Sequence, residues 1–317
     1  MFYNGEYWID YMLYIHGNGA PILPELSKTL GSYNLRGIYT LLVMIGYLII
    51  EVIFIGLYQL VIKIKGEFKM KKILSSITIM FIMFFTTSYL SVNAYGFGFT
   101  RNDNHKTPEI GKYKTIIENT DSYYVGDTNQ KEVYLTFDAG YDNGELPKIL
   151  DILSEKKVLA SFFITGDFVK RFPELTIRMT LEGHTICNHT YNHKNITKLS
   201  KEELQVEITK LEESYFNLTG QQMAKYFRPP EGEFDEISLK NVNSLGYKTV
   251  FWSSAYCDWN EKGQKSVEYT IDMYMNNLHN GAILLMHSVS SSNREALSTI
   301  IDEVLSLGYE FKTVTSL

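Results

Sequence analysis

Hydrophobic positions divide the 317-residue chain into two regimes. In the first, apolar residues come in long runs, one over 38–62, broken only by Glu51 and Gln59, and one over 73–92. In the second, from Glu132 onward, short β-rich runs alternate with stretches of helical spacing. Residues 133–137 form a strand-like run that ends at Asp138, and Leu146, Ile149, Leu150 and Leu153 give helical periodicity over 146–154. A second apolar run covers 160–165; 173–182 reads as helix stopped at Gly183, and 185–187 as a short extended piece. Ser200 opens a long helix with a capping box to Glu203 and apolar positions Leu204, Ile208, Leu211 and Tyr215. Further strands are expected at 226–227, 247–252, 282–286 and 309–314. Further helices are expected at 235–245, 267–278 and 295–307, the first and last stopped by Gly246 and Gly308.

This alternation predicts an α/β fold with a parallel sheet and helical crossovers. Periodicity alone does not separate a barrel from an open doubly wound sheet. Asp138, His189, Arg228, Asp258 and His287 all fall just after strands, spread over about 150 residues. A barrel gathers such residues at the C-terminal ends of its strands, so the distribution favours a distorted (β/α) barrel.

The two long apolar runs change the picture of the first hundred residues. The second is preceded by Met70-Lys71-Lys72 and followed by Val92-Asn93-Ala94, the three parts of a secretory signal with cleavage after Ala94. On that reading Met70 is the true start, residues 1–69 are an over-extended start, and 70–94 is a signal peptide or signal anchor. The rival reading makes 1–69 carry a transmembrane segment. The linking lysines Lys63, Lys65, Lys69, Lys71 and Lys72 then lie on the cytoplasmic side and both ends face outward. Glu51 within a span is costly and weighs against it. Either way this N-terminal membrane or signal region places the rest of the chain outside the cytoplasm, secreted or membrane-anchored. Residues 95–130 read as a linker and lead-in, and 131–317 as the catalytic domain.

Composition adds little beyond this. The chain is 45% hydrophobic and 21% charged, with net charge −6, so no basic footprint for nucleic acid exists. The two cysteines, Cys187 and Cys257, make no disulfide framework. Each reads either as a metal ligand beside its neighbouring motif or, more commonly, as a small hydrophobe.

Taken singly, the candidate chemical residues are weak. His189 and His193 are four apart, a spacing that can seat one metal but also arises by chance on surfaces. Asp138 before Gly140 is placed for a pocket or for a turn. Asp138-Ala-Gly-Tyr-Asp142-Asn-Gly lacks the acids a calcium loop needs. Arg228 stands before two prolines that stiffen its backbone, which suits pairing with a carboxylate. His287 ends an apolar strand, and Asp258-Trp259 closes another strand-to-loop junction. Asn188, Asn195 and Asn217 begin glycosylation-like tripeptides too short to carry weight.

In order, the motifs Thr-Phe-Asp-x-Gly, His-Thr-x-x-His, Arg-Pro-Pro-x-Gly, Asp-Trp and Leu-x-His resemble the polysaccharide deacetylases, the NodB-homology family (carbohydrate esterase family 4), over about residues 131–317. The resemblance implies a distorted (β/α) barrel of about seven units and hydrolytic removal of N-acetyl groups from a glycan. It implies a divalent metal, usually zinc, on His189 and His193, with Asp138 as general base and Arg228 as its partner. His287 would be the general acid and Asp258 its orienting carboxylate. Trp259 and Leu285 would line the pocket, and the backbone N–H at Glu231 would serve the oxyanion.

Two departures stand out. Ala139 replaces the aspartate that usually completes the metal triad, and Glu231 replaces an aromatic residue. Together with Phe-Phe-Ile-Thr-Gly and Val-Phe-Trp-Ser-Ser-Ala-Tyr-Cys-Asp-Trp they resemble the delta-lactam-biosynthetic de-N-acetylases. That subgroup acts on N-acetylmuramic acid in the peptidoglycan glycan strand, after an amidase has stripped the peptide. The product leads to muramic δ-lactam of the spore cortex. Two alternatives remain, an N-acetylglucosamine deacetylase of peptidoglycan or chitin-like glycans, and an inactive wall-binding pseudoenzyme favoured by Ala139.

Overall fold

The structure is a computed structural model and describes residues 94–101 and 104–317. The expected membrane or signal segments, 1–69 and 70–94, lie outside the described residues apart from Ala94. Among the described residues no helix is long and apolar enough to cross a membrane.

In chain order the strands are β1 (Tyr95–Gly96), β2 (Ser122–Tyr123), β3 (Glu132–Ala139), β4 (Ser161–Ile164), β5 (Thr185–Asn188), β6 (Ala224–Phe227), β7 (Glu233–Phe234), β8 (Lys248–Val250), β9 (Ala282–His287) and β10 (Glu310–Lys312). The helices are α1 (Lys114–Glu118), α2 (Leu146–Lys156), α3 (Gly166–Arg171), α4 (Pro173–Leu181), α5 (Lys201–Thr219), α6 (Glu236–Ser244), α7 (Val267–Asn276) and α8 (Ser291–Ser306). The main sheet is parallel and runs β10-β3-β4-β5-β6-β8-β2, with β9 on the other edge of β3. On their shared side β10 covers the start of β3 and β4 its end, because β3 is twice as long as either needs. Past β8, the amides of Ser253 and Ser254 donate to Ile283 O and the Leu285 amide donates to Ser254 O, joining this segment to β9. The parallel half-barrel sheet with its helices agrees with the expected α/β class.

Why these strands are continuous apolar runs follows from burial on both faces. On β3, Val133, Leu135, Phe137 and Ala139 point into the helix-facing core with Leu150, Phe162, Leu284 and Met286. Tyr134 points the other way, into an inner core with Phe163, Cys187, Ile283 and Leu285. Since side chains alternate along a strand, Thr136 and Asp138 share the inner face with Tyr134.

Local sequence explains most helix boundaries. The Ser200–Glu203 capping box forms as expected, and Asp235 caps α6 in the same way with Ser238. Helix α3 was not expected. Thr165 accepts the Phe168 amide and starts it, and Pro173 forces a break before α4 because the residue before proline disfavours the helical region. Strand β8 is shorter than the expected 247–252, since the Val250 and Phe251 carbonyls turn away to Arg228.

The described part of the lead-in carries buried side chains at Phe97, Phe99, Ile110 and Ile117. Phe97 stacks on Phe251 at a centroid distance of 4.4 Å, and its amide donates to Gly232 O. Gly232 sits at φ 66, and a Cβ there would lie 2.7 Å from the Trp252 ring, so only glycine fits.

Leu150 is fully buried, whereas Leu181 is 77% exposed. Leu150→Ala should lower unfolding free energy by about 2–5 kcal/mol, and Leu181→Ala by less than about 0.5 kcal/mol, as read from urea midpoints at unchanged m-value.

Candidate active site

Asp138 and His287 are register partners on the adjacent parallel strands β3 and β9. Paired positions of parallel strands project to the same face, so the sheet itself brings the two side chains together. Phe163 and Cys187 continue the same row on β4 and β5.

Arg228 lies at the end of β6 and is fully buried. A buried guanidinium needs its donors matched. Nη1 donates to Asp138 Oδ1 at 2.7 Å, Nη2 to Thr136 Oγ1 at 3.0 Å and to Phe251 O, and Nε to Val250 O at 3.0 Å. Its planar face covers the Phe163 ring at 4.0 Å. Thr136 Oγ1 in turn donates to Leu284 O, tying the cluster to β9. Burial works to raise the Asp138 pKa, but the charge and hydrogen bond of Arg228, with His189 and His287 adding to it, hold it below the ordinary value. Asp138 is therefore an ionised base at neutral pH, with Oδ2 left for another partner.

That oxygen lies 3.7 Å from His189 Nε2. His189 Nδ1 bonds the Arg228 carbonyl oxygen at 2.8 Å, so in the neutral ring Nδ1 carries the proton and Nε2 is an acceptor. Burial, partly countered by Asp138, lowers the His189 pKa to about 4 and keeps the ring neutral. The His193 ring stands edge-on to it, 4.9 Å between centroids. A neutral His189 ring with its outer nitrogen tied to a carbonyl, and a second imidazole beside it, suit a divalent metal. Among the described residues, however, no group of three or more His, Cys, Asp or Glu side chains is arranged as a metal cage. Ala139 explains this, being fully buried in the helix-facing core where it contributes no ligand. Cys187 does not compensate, since burial pushes its thiol well up and keeps it protonated.

On the other side, Asp258 is almost completely buried, and His287 is part-exposed. Asp258 Oδ1 meets His287 Nδ1 at 2.7 Å and Oδ2 accepts the His287 amide at 2.7 Å. Asn293 Nδ2 also donates to Oδ2. Burial of His287 opposes its protonation, but the Asp258 carboxylate outweighs it by charge and hydrogen bond, with Asp138 adding, and the pKa is raised. His287 is thus set up as a proton donor. Trp259 is half-exposed and stands edge-on to His287 at 5.5 Å, while Leu285 faces the inner core two positions before His287. Glu231 is exposed, at φ 59, in the tight turn that follows Arg228.

All nine expected site residues thus fall at or beside the ends of β3, β5, β6, β8 and β9. Sequence reasoning missed Thr136, whose hydroxyl serves Arg228, and Asn293, which fixes Asp258. Thr136 was visible as a polar residue inside an apolar strand; Asn293, on a serine-rich helix start, carried no signal.

Comparison with known proteins bears on this arrangement. Residues 125–250 match the family model for polysaccharide deacetylases. The chain is 44% identical over 221 residues, 69% of its length, to the peptidoglycan-N-acetylmuramic acid deacetylase PdaA of Bacillus subtilis (strain 168), covering 84% of that protein. It is 36% identical over 198 residues, 61% of its length, to a peptidoglycan-N-acetylglucosamine deacetylase of Bacillus cereus, covering 70% of it. The solved structure of Bacillus subtilis PdaA, described as a family 4 carbohydrate esterase, superposes with TM-score 0.70 at 42% identity, covering 72% of this chain and 98% of that one.

A carboxylate whose pKa is depressed on folding contributes stability above its unfolded value, near 3.9, and loses it as pH falls through the folded value. The difference in unfolding free energy between the protein and Asp138→Asn should stay constant from pH 7 to about 5 and shrink below about pH 4. A difference independent of pH would show that Asp138 is not held ionised by Arg228.

Proposed function

Since the chain belongs to the polysaccharide deacetylase family, carbohydrate esterase family 4, and is a carbohydrate de-N-acetylase, we propose that it deacetylates N-acetylmuramic acid in peptidoglycan. The freed amine then closes on the lactyl carboxyl to give muramic δ-lactam of the spore cortex. The observation that carries the chemistry is the register pairing of Asp138 with His287, which sets a held base and a held acid side by side. The substrate reading rests on the 44% identity to the N-acetylmuramic acid deacetylase and on Ala139.

In this reading Asp138, ionised and anchored through Oδ1 by Arg228, takes the proton of the attacking water on Oδ2. His287, with Nδ1 bound to Asp258, delivers a proton from Nε2 to the departing amine. The Glu231 amide receives the developing oxyanion, and Trp259 and Leu285 line the acetyl and sugar pocket. His189 Nε2 and His193 would hold a divalent metal, zinc in this reading, whose chemistry when bound is to polarise the acetamide carbonyl and acidify water. The reading extends to the domain plan: a signal or anchor at 70–94 and a catalytic barrel of about seven units over 131–317, acting outside the cytoplasm after an amidase.

A second reading, deacetylation of N-acetylglucosamine, draws on the 36% identity to the enzyme of that name. Acetate release from peptidoglycan with bare muramic acid, set beside chitin oligomers, separates the two. Zinc-dependent release from the first alone is expected; release from chitin oligomers alone moves the assignment to N-acetylglucosamine, and release from neither, with amidase supplied, to a binding module.

Asp138→Asn should reduce kcat by about 100- to 10,000-fold, the usual worth of a positioned acid–base group. Unchanged turnover would remove Asp138 from the mechanism. The pH–rate profile tests His287: activity should fall as pH rises through its raised pKa, above about 6.5. Asp258→Asn removes what raises it, so the alkaline limb should move to lower pH. A limb that stays in place would exclude His287 as the acid.

A further inference from the structure

The buried stripe of α5 contains Leu204, Ile208, Leu211 and Tyr215, and Glu207 lies within it. Its side chain is only 3% exposed. A carboxylate at such a place is costly unless its oxygens are matched, and a well-packed apolar residue would serve the core at least as well.

Glu207 spends its acceptors on one segment. Oε2 takes the Asn192 amide at 2.7 Å, and Oε1 takes Asn192 Nδ2 at 2.7 Å and the Lys194 ammonium at 2.9 Å. Its backbone carbonyl accepts the Tyr191 amide at 3.1 Å. Tyr191, Asn192 and Lys194 flank His193 on both sides, within the segment that begins at His189.

That segment needs restraint. Thr190 and His193 stand at φ 64 and φ 53, left-handed conformations that are strained for non-glycine residues. The Gly166 amide donates to the Tyr191 carbonyl, and a Cβ on Gly166 would lie 2.2 Å from the Tyr191 ring, so α3 closes the other side of the loop. His189 is fixed independently by the Arg228 carbonyl, and among the described residues no comparable bond secures the exposed His193 from its own ring.

We propose that Glu207 is a positioning residue, which holds His193 in the orientation at which it shares a metal with His189. This rests on the reading of His189 and His193 as the metal ligands. With alanine at 139, two imidazoles carry the affinity, and it becomes sensitive to where His193 stands.

The experiment is zinc affinity of the full chain by competition with a chromogenic chelator at neutral pH. It compares the protein with Glu207→Gln, Asn192→Ala and His193→Ala, each verified as folded by circular dichroism. Glu207→Gln should weaken zinc binding about 10- to 100-fold, the usual effect of losing a partner that orients a ligand, and Asn192→Ala should weaken it by less. In the His193→Ala background, Glu207→Gln should cause no further loss, because it acts only through His193. A stabilising role alone would lower Tm and leave the affinity of the folded protein unchanged, and that result overturns the proposal. A further loss in the His193→Ala background also overturns it, since it would mean that the charge of Glu207 acts directly. Absence of zinc binding by the unaltered chain would instead overturn the ligand assignment itself. Asn192 is exposed, so that variant folds and decides the question even where Glu207→Gln does not fold.

Discussion

The buried ion pair of Arg228 with Asp138 is the interaction on which the rest of the site depends. A guanidinium with no solvent exposure can exist only if its environment supplies acceptors, and here they come from two places. Asp138 and Thr136 are on β3, and the carbonyls of Val250 and Phe251 are where β8 ends. One side chain therefore holds together strands that are far apart in sequence. The same residue's carbonyl bonds His189, so the Asp138 carboxylate and the His189 imidazole are oriented from a single point. Phe97 and Trp252 back the segment behind it, which gives the lead-in a part in the site although it contributes no reacting group.

The site divides its labour by environment. Three titratable groups lie close together, and each is pushed toward a different state. Arg228 keeps Asp138 ionised, burial keeps His189 neutral, and Asp258 outweighs burial to raise the pKa of His287. None of these three shifts follows from residue type alone. Asp258 can do this because its own oxygens are fully engaged by the His287 amide and Asn293 as well as by the ring.

The loss of an aspartate at 139 reads differently once the sheet is known. Position 139 follows Asp138 and so turns toward the helix-facing core, where the alanine methyl is packed among apolar side chains. The metal reading is left with His189 and His193, and Glu207 becomes the residue that makes a two-imidazole arrangement rigid.

Much of this was legible along the chain. Apolar runs ending in Asp138 and His287 announced two strands with functional ends, and Ser200 and Asp235 announced helix starts, because alternation and capping are local physics. Five ordered motifs were enough to imply the family. Other features depended on distant partners. Helix α3 hid behind Gly166, and β8 ended early because Arg228 needed its carbonyls. Glu207 was visible as one charge on an apolar stripe, but the loop it serves was not. What the sequence by itself determined was the set of elements and the chemistry placed at their ends. The tertiary structure decided which ends meet, since strand register and burial are properties of the assembled sheet. That is why the pairing of Asp138 with His287, and the direction in which each is shifted, could be read only there.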